Sequence, residues 1–202
     1  MKDIFDRVRS APGETLSAKD YRVDFVTEFE MKTGVIWKLE RAQHFDERGL
    51  PSWEAFARGD WDRSLALIED MRREFAADHP ERIDFRRIRV VEEPVSPYVH
   101  WELAVLRVRA QEGEHSRVIP ASAVADFETG HPMPELVAFG PSLMYEVLYD
   151  REGIHTGGRR ITDSGVIEPC LPVLASLYEQ AEDLVEYFDR VVAPLSPPRL
   201  VS

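Results

Sequence analysis

Three arginines in one short segment, Arg86, Arg87 and Arg89, are the residues of this 202-residue chain best suited to binding an anion. A guanidinium group presents paired N–H donors that match the oxygens of a phosphate or a carboxylate. Several glutamates lie close by in the sequence, namely Glu92, Glu93, Glu102, Glu112 and Glu114. Two interpretations follow, an anion- or partner-binding surface and a set of ion pairs with these glutamates. The short sequence distances favour the ion pairs.

A second group that could hold an anion is Arg159 and Arg160, which follow the adjacent glycines Gly157 and Gly158. Adjacent glycines leave backbone N–H groups accessible, and two arginines beside them complete a cradle for a phosphate. Phosphate-binding loops are specific when they connect a strand to a helix, and this segment lacks that context. The sequence therefore favours an ordinary hairpin loop here over an anion site.

His100 is the histidine with the best-defined setting, because it lies beside Trp101 in the strongest predicted helix. A histidine on such a helix is more often a partly buried structural residue than a catalytic one. Trp101 itself is expected in the core. We nevertheless retain both as candidates for a partner- or anion-binding surface.

Recognisable catalytic and metal-binding motifs are absent from the sequence. The six histidines show no HxH or HExxH spacing, and Cys170 is the single cysteine, so we predict no metal site and no disulfide framework. Nucleophile-elbow, Walker and dinucleotide-binding patterns are also missing. These observations predict no catalytic residue and no cofactor, and they favour a protein that is not an enzyme.

The composition restricts the classes of partner. The net charge is −12 and the sequence pI is about 5.0. A surface that is acidic on average repels the phosphates of nucleic acid and the headgroups of anionic membranes. The sequence also lacks an apolar secretory core at its start and an apolar run long enough to span a bilayer. We expect a cytoplasmic protein that does not bind membranes, and direct nucleic-acid binding is disfavoured.

The element that must position the first arginines is a β-α-β unit over residues 86–120. A strand rich in β-branched residues comes first, and Ser96 and Pro97 then form the start of a helix. The helix extends over residues 98–111, Gly113 ends it, and a second strand follows. This unit predicts two neighbouring strands in one sheet.

The chain as a whole is predicted to be an α+β (or α/β) protein. A flexible arm over 1–16 precedes a helical portion over 17–80, and an α/β portion over 81–193 completes the same continuous domain. The helical portion packs on a mixed sheet of four to six strands, and one long C-terminal helix kinked near Pro169 and Pro172 closes it. The tail over 194–202 is proline-rich and expected to be extended.

Four segments carry a resemblance to a known family: WKLERAQHF (37–45), SWEAFARGDWDRSLALIE (52–69), RRIRVVEEPVSPYVHWEL (86–103) and VLYD (147–150). They resemble an actinobacterial, streptomycete-type family of uncharacterised proteins known only as a domain of unknown function. Its members are often encoded near helix-turn-helix regulators. The resemblance implies a regulatory role beside such a regulator, and it brings no active-site residues.

The β-α-β half is also similar to non-catalytic phospholipase-D-like sensor domains. Their catalytic relatives carry an H-x-K-x4-D motif, and no lysine of this chain stands two residues after a histidine. The sequence therefore favours a non-enzymatic regulatory or partner-binding protein, with a protein partner and a small anionic ligand as the expected interactions. The alternative is an enzyme acting on a phosphorylated or nucleotide-like substrate. In it, two arginine pairs, Arg86 with Arg87 and Arg159 with Arg160, hold the anion, and His100 or His155 moves protons.

Overall fold

Eight strands form one mixed sheet in the part of the chain described by the structure, a computed structural model covering residues 3–77, 80–128 and 130–200. The strands are β1 (Glu14–Ser17), β2 (Gly34–Glu40), β3 (Ile83–Val91), β4 (His115–Pro120), β5 (Leu136–Ala138), β6 (Met144–Tyr149), β7 (His155–Ile161) and β8 (Glu182–Asp183). Their order in the sheet is β1-β7-β6-β5-β2-β3-β4-β8. The α+β class is confirmed, and the sheet has more strands than the predicted four to six, because β1 was assigned to an arm, β7 to a loop and β8 to a helix.

The helices connect and cover these strands. They are α1 (Ile4–Ser10), α2 (Ala18–Met31), α3 (Pro51–Ala57), α4 (Trp61–Asp70), α5 (Arg72–Ala77), α6 (Pro97–Gln111), α7 (Ala121–Val124), α8 (Ser164–Gln180) and α9 (Leu184–Tyr187). A 3-10 turn over Ala125–Phe127 and a π-helical turn over Phe188–Val192 extend α7 and α9. No helix in the described ranges is long and apolar enough to cross a membrane.

The predicted β-α-β unit is present toward the β8 end of the sheet. Strands β3 and β4 pair in parallel and α6 joins them. The Ser96 hydroxyl accepts a hydrogen bond from the Val99 N–H at 3.2 Å, which caps the first turn of α6. Gly113 follows the helix with φ of 110°, the left-handed conformation that ends a helix at low steric cost. A further parallel pair, β2 with β3, is connected through α3, α4 and α5.

The two faces of the sheet differ in chemistry. Because side chains alternate along a strand, Trp37 and Leu39 of β2 point to one face and Lys38 and Glu40 to the other. The first face is apolar and is covered by α1 and α8, which share a core cluster with Leu39. The second face is covered by α2 on one side and by α6 on the other. The charged residues of β2 lie between these two helices.

Residues 4–17 differ from the predicted flexible arm. Ile4, Phe5 and Val8 of α1 are buried in the apolar core, and β1 pairs antiparallel with β7 at the edge of the sheet. The prediction of an arm gave too little weight to these apolar residues, because Pro12 and Gly13 interrupt the segment. Residues 1 and 2 of the predicted arm lie outside the described residues.

The C-terminal segment is divided where one long helix was predicted. Helix α8 runs through Pro169 and Pro172 and ends at Gln180. The chain then extends as β8 to pair with β4, and the Asp183 side chain caps α9 by accepting hydrogen bonds from two backbone N–H groups. The backbone of residues 182–183 pairs with the edge of β4, and this pairing competes with continuation of the helix. Residues 201 and 202 of the predicted tail are outside the described residues.

Candidate functional site

A cleft of about 870 Å³ lies on the charged face of β2 and β3, between α2 and α6. Its volume is in the range of small-molecule sites, roughly 300–1,000 Å³. A smaller hollow of about 280 Å³ adjoins it and shares Lys38, Phe85, Tyr149 and His155 with it. The two form one continuous depression at the middle of the sheet.

Aromatic side chains form the walls of this cleft. Phe25 and Phe29 of α2 stand on one side, with Phe85 of β3 beneath them. Phe75 of α5 and Trp101 of α6 stand on the other side. The helical period places the two phenylalanines of α2 one turn apart on the same face, and their rings lie 6.0 Å apart. Such walls suit the apolar body of an organic ligand.

The floor of the cleft is a buried chain of ion pairs. Arg87 contacts Glu40 at 2.6 Å and also pairs with Glu114, to which its Nη2 donates at 3.0 Å. Lys38 contacts Glu40 at 2.7 Å, and the Ser116 hydroxyl donates to Glu114 at 2.6 Å. Each buried charge therefore has an opposite charge in contact, as burial in a low-dielectric interior requires.

These contacts set the protonation of the floor. Burial acts to raise the pKa of Glu40, but Arg87, Lys38 and Arg89 outweigh it and hold that pKa well below its ordinary value. Burial likewise opposes ionisation of Glu114, while Arg87 and the Ser116 hydroxyl lower its pKa to about 2. Both carboxylates are therefore ionised at neutral pH.

Arg89 and Glu102 form a second buried pair at the edge of the floor. Arg89 is fully buried, and its Nη2 lies 2.6 Å from Glu102 of α6. Its Nη1 donates to the Val90 carbonyl at 3.0 Å. Burial raises the pKa of the Glu102 carboxyl, and the ion pair with Arg89 offsets part of this effect. The pair links β3 to α6 and fixes the helix over the sheet.

Glu47 occupies the loop after β2, at the end of the cleft. It is half-buried and accepts a hydrogen bond from the Tyr98 hydroxyl at 3.0 Å. Burial raises the pKa of this carboxyl, and the hydrogen bond from Tyr98 offsets part of the effect. Unlike Glu40, Glu47 forms no ion pair with the described residues. The rings of Phe45 and Tyr149 lie beside it in the cleft wall, with centroids 4.5 Å apart.

Strand alternation separates the arginines of the first predicted cluster. Arg87 and Arg89 face the cleft side, whereas Arg86 points to the opposite face. There it contacts Asp84 at 2.6 Å and lies over the rings of Trp37 and Tyr178, at 5.2 and 5.6 Å. All three arginines form ion pairs. Arg86 pairs with Asp84, two positions before it, whereas Arg87 and Arg89 pair with glutamates of β2, of α6 and of the turn before β4.

Arg159 and Arg160 also point to opposite faces. Arg159 pairs with Glu146 at 2.6 Å and donates to the Val8 carbonyl, which ties α1 to the sheet. Arg160 pairs with Asp24 at 2.9 Å and Glu28 at 2.7 Å, which ties α2 to the sheet. The structure therefore does not bring the two predicted arginine pairs to one anion site.

The predicted glycine loop is a strand. Gly157 and Gly158 lie within β7, and the chain of β1 passes directly over Gly157. A Cβ at Gly157 would lie 2.0 Å from the Leu16 carbonyl oxygen, and one at Gly158 would lie 2.4 Å from the Tyr21 ring. These glycines permit close packing of β1 and α2 rather than access to an anion.

The two aromatic candidates on α6 have different settings. Trp101 is buried and lines the cleft. His100 is also buried, but it packs against the ring of Trp61 at 5.1 Å and is not part of the cleft wall. Burial lowers its pKa, so the ring is neutral at pH 7. His155, by contrast, does line the cleft, and burial lowers its pKa as well.

Sequence reasoning missed Lys38, Glu40, Glu47 and Tyr149. The signal for the first two was present, because the strand around Trp37–Glu40 alternates apolar and charged residues. A parallel strand inside a sheet is buried on both faces, so charged residues in it mark a polar interior site. Glu47 and Tyr149 lie in a loop and at a strand end, and only the tertiary structure brings them to the cleft.

No group of three or more histidine, cysteine, aspartate or glutamate side chains among the described residues is arranged to hold a metal ion. No curated protein matches the sequence. A family model does match, over residues 24–189, which includes every element from the greater part of α2 to the start of the final turn. The chain belongs to the family described as Domain of unknown function (DUF6879).

Proposed function

We propose that this protein is a non-enzymatic cytoplasmic regulatory protein that binds a small organic ligand in the cleft between α2 and α6. The observation that carries the proposal is the cleft itself, with aromatic walls over a floor of buried ion pairs. Apolar walls with a few fixed polar groups are the usual composition of small-molecule sites.

The ion pairs support binding because they hold the floor in one arrangement before a ligand arrives. Arg87 bridges Glu40 and Glu114, so three segments of the sheet and its turns share one charged group. A ligand that meets a pre-ordered floor loses less free energy to ordering side chains. The enzyme alternative depends on four arginines at one anion, and the alternation of side chains along β3 and β7 favours binding over that alternative.

Helix α2 supplies a route from ligand to regulation. None of its described residues is fully buried, and charged contacts at its middle and at its C-terminal end hold it on the sheet. Arg160 binds Asp24, and Arg82 donates to the carbonyls of Phe29 and Glu30 at 3.1 Å. An element with little buried surface is the one whose position a bound ligand can shift most readily.

The partner that we propose is a helix-turn-helix regulator, as the resemblance of the sequence implies. The segment from Arg86 to Trp101 contains the residues that the sequence offered for a partner surface, and its exposed part is the loop over residues 92–96, because the strand and helix on either side of it are largely buried. This loop is the segment of that unit available to a partner.

A ligand-observed NMR screen of fragment-sized compounds of all charge types tests the cleft. We expect compounds that bind the wild-type protein and lose binding in Val105→Trp, because Val105 lines the cleft and indole would fill it. The matched control is Val23→Trp, at a 62% exposed position of α2 outside the cleft wall, which should retain binding.

Circular dichroism and thermal unfolding establish that both variants fold. If Val105→Trp is unfolded, Phe29→Ala replaces it, because it removes part of one wall while leaving the core clusters of α6 intact. Compounds that bind equally to the wild type and to every cleft variant would contradict the proposal.

A further inference from the structure

The charges around the cleft identify the chemical class of its ligand. We propose that the ligand carries a cationic nitrogen, an amine or a guanidinium, that pairs with Glu47 while its apolar body lies between the aromatic walls. This inference rests on the proposed binding function and goes beyond it, since it reverses the charge of the small anionic ligand expected from the sequence.

The described residues that line the cleft include more carboxylates than cationic side chains. Six carboxylates line the cleft against four cationic side chains, a difference of two negative charges. The carboxylates are Glu30, Glu40, Asp46, Glu47, Glu102 and Glu114, and the cations are Lys38, Arg82, Arg87 and Arg109. Glu102 and Asp46 pair with Arg89 and Arg48, which lie outside the lining, so the excess negative charge is located at Glu30 and Glu47, the two carboxylates without an ion pair among the described residues. A cationic ligand would be attracted at these carboxylates, and an anionic one repelled.

Each of the four cationic side chains in the lining already has a partner. Lys38 and Arg87 contact Glu40, and Arg82 donates to carbonyl oxygens of α2. Arg109 lies over the Phe75 ring at 4.1 Å and 3.9 Å from Glu114. A ligand anion would have to displace one of these contacts.

Glu47 differs from the carboxylates of the floor in the partner that it contacts. Its hydrogen-bond partner is the Tyr98 hydroxyl at 3.0 Å, a neutral group, and none of the described cations lies within ion-pair distance of it. Burial raises the pKa of this carboxyl, and the nearby charge of Glu40 adds to that effect. A cation bound beside Glu47 would favour its ionised form.

Aromatic rings surround the same end of the cleft. Phe45, Tyr149 and Trp101 all line it. The negative faces of such rings attract ammonium and guanidinium groups, and the attraction is stronger where water is excluded. The Trp101 indole N–H is buried and has no hydrogen-bond partner among the described residues, so it is a donor for an acceptor atom of the ligand.

Three indole compounds that differ only in the charge of the side-chain end test the inference: tryptamine, tryptophol and indole-3-propionate. Isothermal titration calorimetry at pH 7.5 with the full chain measures their affinities. We expect tryptamine to bind about tenfold more tightly than tryptophol, with indole-3-propionate the weakest. Glu47→Gln should bring the affinity for tryptamine down to that for tryptophol, because the amide can still accept from Tyr98 but carries no charge.

The matched control is Glu168→Gln, the same change at an exposed carboxyl of α8, a helix that covers the other face of the sheet. Glu168 does not line the cleft, so its replacement should leave the preference for tryptamine unchanged. Thermal unfolding confirms that both variants fold. A preference for tryptamine that survives in Glu47→Gln, equal or tighter binding of indole-3-propionate, or no saturable binding of tryptamine would each overturn the inference.

The two proposals fail separately. The NMR screen scores compounds of every charge, so neutral or anionic compounds that depend on Val105 would support the cleft while the tryptamine series rejects the cation. If no compound in the screen loses binding in Val105→Trp, the cleft itself is rejected as the binding site.

Discussion

Arg87 connects more buried charge than any neighbouring residue of its strand. Its guanidinium contacts two carboxylates, Glu40 and Glu114, and its side chain is 6% exposed. Arg86, the preceding residue, has a half-exposed pair with Asp84 on the other face of the sheet. The same side chain at adjacent positions therefore experiences two different electrostatic environments.

Arg87→Met should lower the free energy of unfolding by about 3–5 kcal/mol, because it removes the buried charge that pairs with both Glu40 and Glu114 and leaves them only the partly exposed cations Lys38 and Arg109. Arg86→Met should lower it by only about 1 kcal/mol, from the loss of a partly solvated pair and of its contacts with aromatic rings. Urea unfolding followed by circular dichroism measures both. Equal losses in the two variants would show that the buried ion pairs on the cleft side contribute no more to stability than the partly exposed pair on the other face.

Glu135 is a further carboxyl whose protonation the fold controls. It directly precedes β5, whose antiparallel pairing with β2 places it opposite Glu40. One carboxyl oxygen accepts hydrogen bonds from the backbone N–H groups of Arg41 and Ala42, and the other is buried without a hydrogen-bond partner in the described residues. Burial raises the pKa of Glu135 to about 7, and the nearby Glu40 adds to this shift.

This shift predicts a pH dependence of stability. Between the ordinary pKa of 4.5 and about 7, the folded protein holds a proton on Glu135 that the unfolded chain has lost. The free energy of unfolding contributed by this group therefore falls as the pH rises through that interval. Glu135→Gln should remove this contribution, so its stability relative to wild type should increase from pH 4.5 to pH 7.5.

Urea unfolding at several pH values compares wild type, Glu135→Gln and the control Glu168→Gln, which alters an exposed carboxyl of α8. A difference between wild type and Glu135→Gln that does not change with pH would contradict the assignment.

At the scale of elements, the glycines of β7 determine how closely β1 and α2 approach the sheet. Gly157 has φ of 144°, and a Cβ there would meet backbone atoms of β1 and not a movable side chain. We expect Gly157→Ala to destabilise the protein and to weaken the pairing of β1 with β7, because backbone must shift to admit the methyl group. Hydrogen exchange of the amides of residues 14–17 measures that pairing.

Gly130→Ala is the control, since a Cβ at Gly130 would meet no atom of the described residues within 4 Å apart from its neighbours in the chain. It should change neither the stability nor the exchange rates. Unchanged protection of residues 14–17 in Gly157→Ala would show that β1 does not depend on this close approach.

The elements with strong local signals were predicted well. Ser96 and Gly113 mark the ends of α6, as their residue types indicate. Strand β8 was missed because two residues between helices carry no periodicity. Its formation depends on the free edge of β4, which lies more than sixty residues earlier in the chain.

At the scale of the molecule, the first helix completes the core beneath the sheet. Phe5 is fully buried, and its ring lies 5.5 Å from that of Phe127. Phe5→Ala should lower the free energy of unfolding by about 3–5 kcal/mol through the loss of buried area and the cavity that remains. The control Leu195→Ala, at a 44% exposed position near the other end of the described chain, should change it by less than about 0.5 kcal/mol.

Thermal and urea unfolding of both variants measure the difference. A loss for Phe5→Ala as small as that for Leu195→Ala would support the mobile arm that the sequence suggested.

The sequence by itself determined the class of fold, the β-α-β unit and the ends of its helix, because caps and periodicity act over a few residues. It also contained the alternation of Lys38 and Glu40 with apolar neighbours. Only the tertiary structure decided which charges meet. Side chains one position apart in a strand face opposite sides of the sheet, and Glu40, Glu47, Arg87 and Glu114 reach one cleft through pairings between strands distant in the chain.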